Sequence, residues 1–441
     1  MDNPPVAPGR LVGHMANPLV ATLLGLRGNP RACVYTEPLW GLSINLVLPY
    51  ASVYMVALGL RDMQIGLIST VGMLFQVVAG LMGGVITDKY GRRRTTAIYD
   101  FIAWSLPCWV WFGASFFAPR PAFWLFLGAS VVNSTWQITQ NSWDCLLVED
   151  ADRQQIPRVY SLVMVAGHLS ALFAPISAAL VAHFSLIVAM RILYVNAFVV
   201  MTTKIIVLYR WSRETGTGRT RMAETKGVPL WRLVLEYRGV LPIIRRSPGT
   251  IFALFIAAVV GAIGTVNQTF WQIIISQKLL VPDALLPFFP MARSLLAILF
   301  FFTVIHRISG TTHFRAPLLW GFGAYLVGQV LVSLLRAPDG GQATWHTYVA
   351  LGVCVLFDSF GVGMLAMLAE AIVALVVDRA ERSRVMAVQR TVVMLCVAPF
   401  GWIGGALSGI NRSLPFVLTA ALIVLGSVVT LAHYRREAGR Q

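Results

Sequence analysis

Charged side chains are the scarce ingredient of this 441-residue sequence: Asp, Glu, Lys and Arg together supply 12% of it, about half the share of an ordinary soluble domain. The chain is also 57% hydrophobic, with a mean hydropathy of +0.71. Too little polar surface exists to coat a water-soluble fold, so lipid must solvate most of it. Cysteine is sparse as well. Cys33, Cys108, Cys145, Cys354 and Cys396 are odd in number, and none stands in a CxxC pair or a His-rich spacing. A disulfide scaffold and a zinc ribbon are excluded, and free thiols with no metal site and no cofactor are expected. Acidic residues are the third shortage: 19 Asp and Glu face 35 Lys and Arg, a net charge of +16. In a soluble protein that imbalance would point to nucleic acid. No cleavable leader is expected, since the first 33 residues carry Arg10, Arg27 and Arg31 but no apolar core closed by a small-residue cleavage site. Membrane enzyme, channel and transporter remain.

What the sequence has in plenty is apolar runs of about 20 residues, each long enough to cross a hydrocarbon core about 30 Å thick. Twelve are expected, near 37–58, 65–86, 96–117, 122–147, 159–182, 186–208, 250–275, 285–305, 316–335, 346–376, 385–410 and 414–434. Only 209–248 is a long separator, and it divides them six and six. The reading is an all-α membrane protein: an N-terminal segment over 1–36, six-helix bundles over 37–208 and 249–434, a basic connector over 209–248 and a tail over 435–441.

With the N-terminus placed inside, 26 of the 35 Lys and Arg fall in cytoplasmic segments and five (Arg61, Arg120, Lys278, Arg336, Arg412) in outside loops. That asymmetry predicts both termini on the cytoplasmic side. It also reassigns the positive charge from nucleic-acid binding to topology and to a lipid bilayer as partner. The connector holds nine basic and three acidic residues, and its stretch from Pro229 to Arg238 is weakly amphipathic, as an interfacial helix would be. Forty residues bury no core, so no regulatory domain is expected there.

The halves resemble each other. Asp150, Arg158 and Pro175 in the first are matched by Asp378, Arg384 and Pro399 in the second, at offsets of 228, 226 and 224. Such internal duplication is the usual plan of secondary transporters. Between the second and third spans stands Gly84-Val-Ile-Thr-Asp88-Lys89-Tyr90-Gly91-Arg92-Arg93-Arg94. Gly84 would let the second span approach a neighbour, and Gly91 would permit the sharp turn into the third. Asp88 would accept from the N-terminus of an adjacent helix, and the arginines would pair with acidic helix ends and anionic lipid.

This loop resembles the signature G-x-x-x-D-[RK]-x-G-[RK]-[RK] of the major facilitator superfamily, and with twelve spans the resemblance covers the chain from about residue 34. It implies two pseudo-symmetric six-helix bundles that rock about a central site. It also implies that the loop latches them on the cytoplasmic side, with Gly84, Asp88, Gly91 and Arg92 as gate residues and Glu149 and Asp150 as charge partners. The matching loop of the second half, His306 to Gly310, lacks the aspartate, so the latch is expected to be asymmetric. A drug/proton antiporter signature in the fifth span is matched only loosely by Ser170 to Ala179, where every glycine has become Ser or Ala. Export of drugs is therefore unsigned.

In that family spans one, four, seven and ten line the cavity, and the sequence independently places buried polar residues there. Asn133, Gln137, Gln140 and Asp144 form an i, i+4, i+7, i+11 stripe bordered by Trp136 and Trp143. Asn45 lies on the first span, Asn267, Gln268, Trp271 and Gln272 on the seventh, and Asp358 on the tenth. The expected substrate contacts are Asn45, Asn133, Trp136, Gln137, Asn267 and Trp271, although interhelical hydrogen bonding competes as a role for the amides. Carboxylates at membrane depth are costly when charged, so they pair or carry protons. Asp144 and Asp358 are the expected proton-coupling groups. Arg293 is a rival partner for Asp358, and Arg390 for Asp144. Glu37, Glu370 and Asp100 lie near the cytoplasmic ends, His168 is expected to pack, and Arg191 and Lys204 to snorkel. The sequence thus predicts a monomeric secondary transporter of the plasma membrane that moves a small molecule with protons by alternating access. Efflux of hydrophobic compounds is the rival within transport, and a transporter-like sensor is a more distant one. No metal cluster, nucleophile elbow or pair of catalytic carboxylates favours a membrane enzyme.

Overall fold

The computed structural model describes residues 18–152, 154–229, 248–300, 303, 314–338, 340–376 and 391–438. Hydrocarbon offers backbone amides no water, so a spanning chain must bond them within itself, and among the described residues every regular element is helical. Among the described residues, ten helices are long and apolar enough to cross a membrane. In chain order these are α1 (Gly28–Ala57), α2 (Asp62–Tyr90), α5 (Ile156–His183), α6 (Leu186–Trp211), α7 (Gly249–Gln277), α8 (Asp283–Phe300), α9 (Arg315–Leu334), α10 (Trp345–Ala369, continuing to Val376), α11 (Thr391–Ile410) and α12 (Leu414–Arg436). Two more crossings, α3 over 92–114 and α4 over 119–148, complete the twelve but are interrupted, so neither contains one long helix. Helix α1 starts nine residues before the expected 37, because Pro38 sits inside it without ending it. A short helix, Pro18–Gly25, precedes it.

The interruptions follow from proline chemistry. Proline has no N–H for the carbonyl four residues back, and its ring crowds that carbonyl. In α3 a π turn at Phe101–Ser105 precedes Pro107, and the carbonyl that Pro107 cannot serve, that of Ala103, instead accepts from Asn133 Nδ2 of α4 at 2.7 Å. In α5 a 3₁₀ turn at Ala171–Phe173 precedes Pro175, and α11 breaks at Ala398 before Pro399. The two prolines of the internal repeat therefore mark the same irregularity in both halves. The other landmarks of the second half, Asp378 and Arg384, lie outside the described residues. In α4 the turn at Ser134 and Thr135 is closed by their own hydroxyls, which donate to the carbonyls of Val131 and Val132.

In the first bundle α1 packs on α5 and α6, and α4 packs on α2 and α3; in the second, α10 packs on α7, α8 and α9, and α12 on α7 and α9. Large apolar side chains such as Trp124, Trp320, Leu334 and Ile410 stay exposed on the outside, as a lipid-facing surface requires. The halves meet most extensively where α2 lies against α11, and again where α5 lies against α8, the counterpart pair under exchange of halves.

The α2–α11 seam is built from glycine. A Cβ on Gly405 would stand 2.7 Å from the Asp62 carbonyl and 3.0 Å from Met63 Cα, and Gly66 and Gly401 face each other with no room for either to gain one. Thr70 spans the α11 break, donating to the Ala398 carbonyl at 2.7 Å and accepting from Trp402 N at 2.8 Å. Ser408 donates to Asp62 Oδ2 at 2.6 Å, and Arg412 Nε stands 3.5 Å from the same oxygen. All of this lies at the end of α2 opposite the Asp88–Arg94 loop. Gly405→Val should therefore cost about 1–3 kcal/mol by overpacking and lower the apparent melting temperature of the detergent-purified protein. Gly409→Val, whose Cβ meets nothing within 4 Å, should leave it unchanged.

Candidate functional site

The loop after α2 is organised by one glycine and one arginine. Gly91 ends the helix at a φ of 86°, a left-handed conformation open to glycine at little cost. A Cβ there would also strike Glu214 Oε2 at 2.6 Å. Glu214 accepts from the backbone N–H of Arg92 at 2.9 Å and of Arg93 at 3.1 Å, so the connector caps the N-terminus of α3, where unsatisfied amides and the helix dipole favour an anion. Sequence reasoning assigned such a role to Asp88. Instead Asp88 pairs with Arg92 Nη1 at 3.0 Å and with Arg221 of the connector helix Gly216–Glu224 at 3.3 Å. Arg92, buried at 3% exposure, reaches across to α4, placing Nε at 3.1 Å and Nη2 at 3.0 Å from the Glu149 carboxylate.

Thr215 donates to the other Glu149 oxygen, Lys89 to the Val228 carbonyl, and Arg93 to the Tyr209 carbonyl. Asp150 joins a different contact, accepting from Asn29 Nδ2 of α1 at 2.9 Å. The close approach of α2 to α4 belongs to Gly83, where a Cβ would collide with Asn141, and Gly84 is only half-buried. The loop of the second half and the connector beyond Pro229 lie outside the described residues.

Two chambers occupy the middle of the fold, meeting at Leu48 and Gln268. The first, about 760 Å³, lies between α1 and α5 on one side and α7, α8 and α10 on the other. The second, about 700 Å³, is walled by α1, α2, α3, α4 and α6 with part of α7. Both fall within the size range of small-molecule sites, roughly 300–1,000 Å³.

In the first chamber Asp358 is held from two sides. Arg293 Nη2 donates to its Oδ2 at 3.2 Å, and Gln329 Nε2 donates to its Oδ1 at 3.0 Å. Gln329 also exchanges hydrogen bonds with Asn267 and accepts from Thr419 at 2.7 Å, so α7, α9, α10 and α12 share one polar network. A side chain at Gly328 would collide with Asp358 Oδ1, so the glycine makes room for the carboxylate. The Arg293 guanidinium lies 4.2 Å from the centroid of the fully buried Trp271 ring. Asn45 and His168 line the same chamber, and Asn45 Nδ2 donates to the Gly41 carbonyl at 2.8 Å.

The second chamber is aromatic and acidic. Trp40, Trp104 and Trp136 adjoin, with centroids 5.8 and 6.5 Å apart. Asn133, Gln140, Glu37, Asp100 and Lys204 line it too. Lys204 does not snorkel: it is 4% exposed and paired with Asp100 Oδ2 at 2.6 Å. Arg191 does reach an end of the fold, donating to the Ser115 hydroxyl at 2.7 Å. The α4 stripe is split, because the face of the helix Trp136–Val148 that meets the chamber is centred on Trp136, Thr139, Gln140 and Trp143, with Gln137 about 100° away. Gln140 and Trp143 line the chamber with Asn133 and Trp136, whereas Gln137 is buried and lines neither chamber, its carbonyl accepting from Asn141. Asp144 accepts from Gln140 Nε2 at 3.0 Å; Arg390, its expected partner, lies outside the described residues.

Sequence reasoning missed Gln329, Trp40, Trp104 and Glu214 as site residues. Gln329 carried a signal, as a lone amide in the apolar run of α9, and so did Glu214, one of few acids in a basic connector. Arg92→Ala should lower stability by about 1–3 kcal/mol, because it leaves the half-buried Glu149 carboxylate without its cation. The double variant Arg92→Met with Glu149→Gln should lose less than the sum of the single losses, as a melting-temperature cycle would show.

A family model described as Major Facilitator Superfamily matches residues 39–357. No curated protein matches the chain significantly. Among solved structures, the nucleoside transporter NupG superposes at a TM-score of 0.68 with 14% identity, covering 92% of this chain and 99% of that one. The peptide transporter POT in complex with sulfate gives 0.67 at 14% identity, covering 96% and 99%. A POT family transporter in complex with 5-aminolevulinic acid gives 0.67 at 12% identity, covering 93% and 98%. At such identities the likeness speaks for the fold alone, but with the family match over most of the chain and the signature loop at the end of α2, this transmembrane protein belongs to the Major Facilitator Superfamily.

Proposed function

We propose that the protein is a monomeric secondary active transporter of the plasma membrane that carries a small molecule through the two central chambers by alternating access, coupled to protons. The observation that carries this reading is that two chambers of small-molecule size lie among the helices, their linings reaching Ser161, Met367 and Asp100 in the halves of α5, α10 and α3 nearer the Asp88–Arg94 loop, while the glycine seam of α2 and α11 holds the opposite end together. The positive-inside asymmetry supports a cytoplasmic Asp88–Arg94 end and cytoplasmic termini, and on that reading the conformation is inward-facing. Cargo contacts fall to Asn45, Asn267 and Trp271 in the first chamber and to Asn133, Trp136 and Gln140 in the second. Asp88, Gly91, Arg92 and Glu149 form the cytoplasmic gate, closing as the α2–α11 seam parts. Cargo and proton shift the populations of the two states through their differential affinity for each.

Asp358 and Asp144 are the proposed proton carriers. Asp358 faces Arg293 from α8, Gln329 from α9 and Tyr325, so a proton on it would release the guanidinium. The test is transport in proteoliposomes. Asp358→Asn and Asp144→Asn should each abolish accumulation driven by a pH gradient while sparing exchange of labelled for unlabelled cargo. Driven flux unchanged in both variants would remove the proton assignment.

A further inference from the structure

Three polar atoms without a hydrogen-bond partner belong to residues on one wall of the first chamber: Trp271 Nε1, Gln272 Oε1 and Arg293 Nε. Trp271 and Gln272 are 1% and 6% exposed, so water does not satisfy them either. Arg293 carries five N–H donors but donates one hydrogen bond, to Asp358, and its side chain is 29% exposed. Asp358 is in the opposite condition, 2% exposed with both oxygens engaged. The unsatisfied capacity of the pair therefore lies on its cationic member. Arg293 is also the only Lys or Arg among the described residues lining this chamber. Its guanidinium is fixed from below by the Trp271 ring and from the side by Asp358.

We propose that the first chamber takes a small monocarboxylate with an apolar body. Its carboxylate is held by the Nη donors of Arg293 that Asp358 leaves free. The planar two-oxygen head matches a guanidinium fork, whereas a neutral amide offers it one oxygen. A dianion is disfavoured because one arginine, already facing Asp358, is the only fixed cation there. An ammonium head finds both Asp358 oxygens occupied. The rest of the chamber offers apolar contacts from Leu48, Met164, Val165, Ile298 and Phe360 to the body of the cargo. This inference rests on the transport reading above and names its substrate class.

Matched skeletons test it on the full-length protein in detergent micelles. 3-Phenylpropanoate, 3-phenylpropanamide and 3-phenylpropylamine form one set; indole-3-acetate, indole-3-acetamide and tryptamine form another. The acids should raise the melting temperature in a saturable way, while the amides and amines should not. Arg293→Gln combined with Asp358→Asn, which removes both charges so that neither is left buried alone, should weaken acid binding at least tenfold, about 1.4 kcal/mol. Arg293→Lys should weaken it less. Equal stabilisation by amides or amines, acid binding unchanged in the double variant, or no stabilisation by either acid each overturns the proposal. The acid-against-amide comparison needs no variant, so a misfolded mutant does not obscure it. Because it reads binding alone, its failure is separable from a failure of driven flux, and a neutral or cationic cargo in the chamber would leave the transport reading standing.

Discussion

The exclusion of water from the hydrocarbon core governs this molecule. Every backbone N–H and C=O there must find a partner inside the protein, so a departure from straight α-helix is tolerated only where another group can serve the freed carbonyl or amide. The irregular points follow this rule. The Ala103 carbonyl that Pro107 cannot serve is taken by Asn133, the α4 turn is closed by Ser134 and Thr135, and the α11 break at Ala398 is bridged by Thr70. Two of these repairs tie one helix to another. The prolines thereby convert a backbone problem into interhelical contacts, and Asn133, so engaged, stands on the chamber wall.

The two ends of the fold use opposite chemistry. At one end α2 meets α11 through glycines and hydroxyls, with the Asp62 carboxylate closing the rim. At the other, α2 is bound to α3, α4 and the connector by an ion-pair cluster around Arg92. Packing between small residues depends on close approach and is lost all at once when helices separate. Charge pairing acts over longer distances and can be remade with new partners. A helix carrying one kind of contact at each end is suited to tilting between two arrangements.

Much of this organisation was legible in the residues. Apolar run length gave the number and order of crossings, and the Asp88–Arg94 loop announced the family. Glu149 and Arg92 of that loop, expected as charge partners, stand 3.0 Å apart, both at helix ends on one side of the bundle. What escaped was whatever depends on helix phase or on distant chain. Gln137 shares an i, i+3, i+7 stripe with Gln140 and Asp144, but the chamber meets the neighbouring face of Trp136, Thr139, Gln140 and Trp143, and only the packing of α4 decides which face turns inward. Gly83 and Gly84 are indistinguishable in sequence, and only the position of Asn141 selects the first. Lys204 reads as a snorkelling residue until Asp100, 104 positions away, is seen beside it.

The connector has a mechanical meaning as well. Glu214, Thr215, Arg221 and Val228 are all bonded to the α2–α4 end of the first bundle. As far as that point the connector is tied to the first bundle, so the boundary of that bundle falls near residue 229 and not at the end of α6. The 18 residues from 230 to 247 could reach about 60 Å if fully extended, several helix diameters. In the alternating access proposed above, a span of that length sets no limit on how far the halves separate, and the range of motion is set by the surfaces that meet.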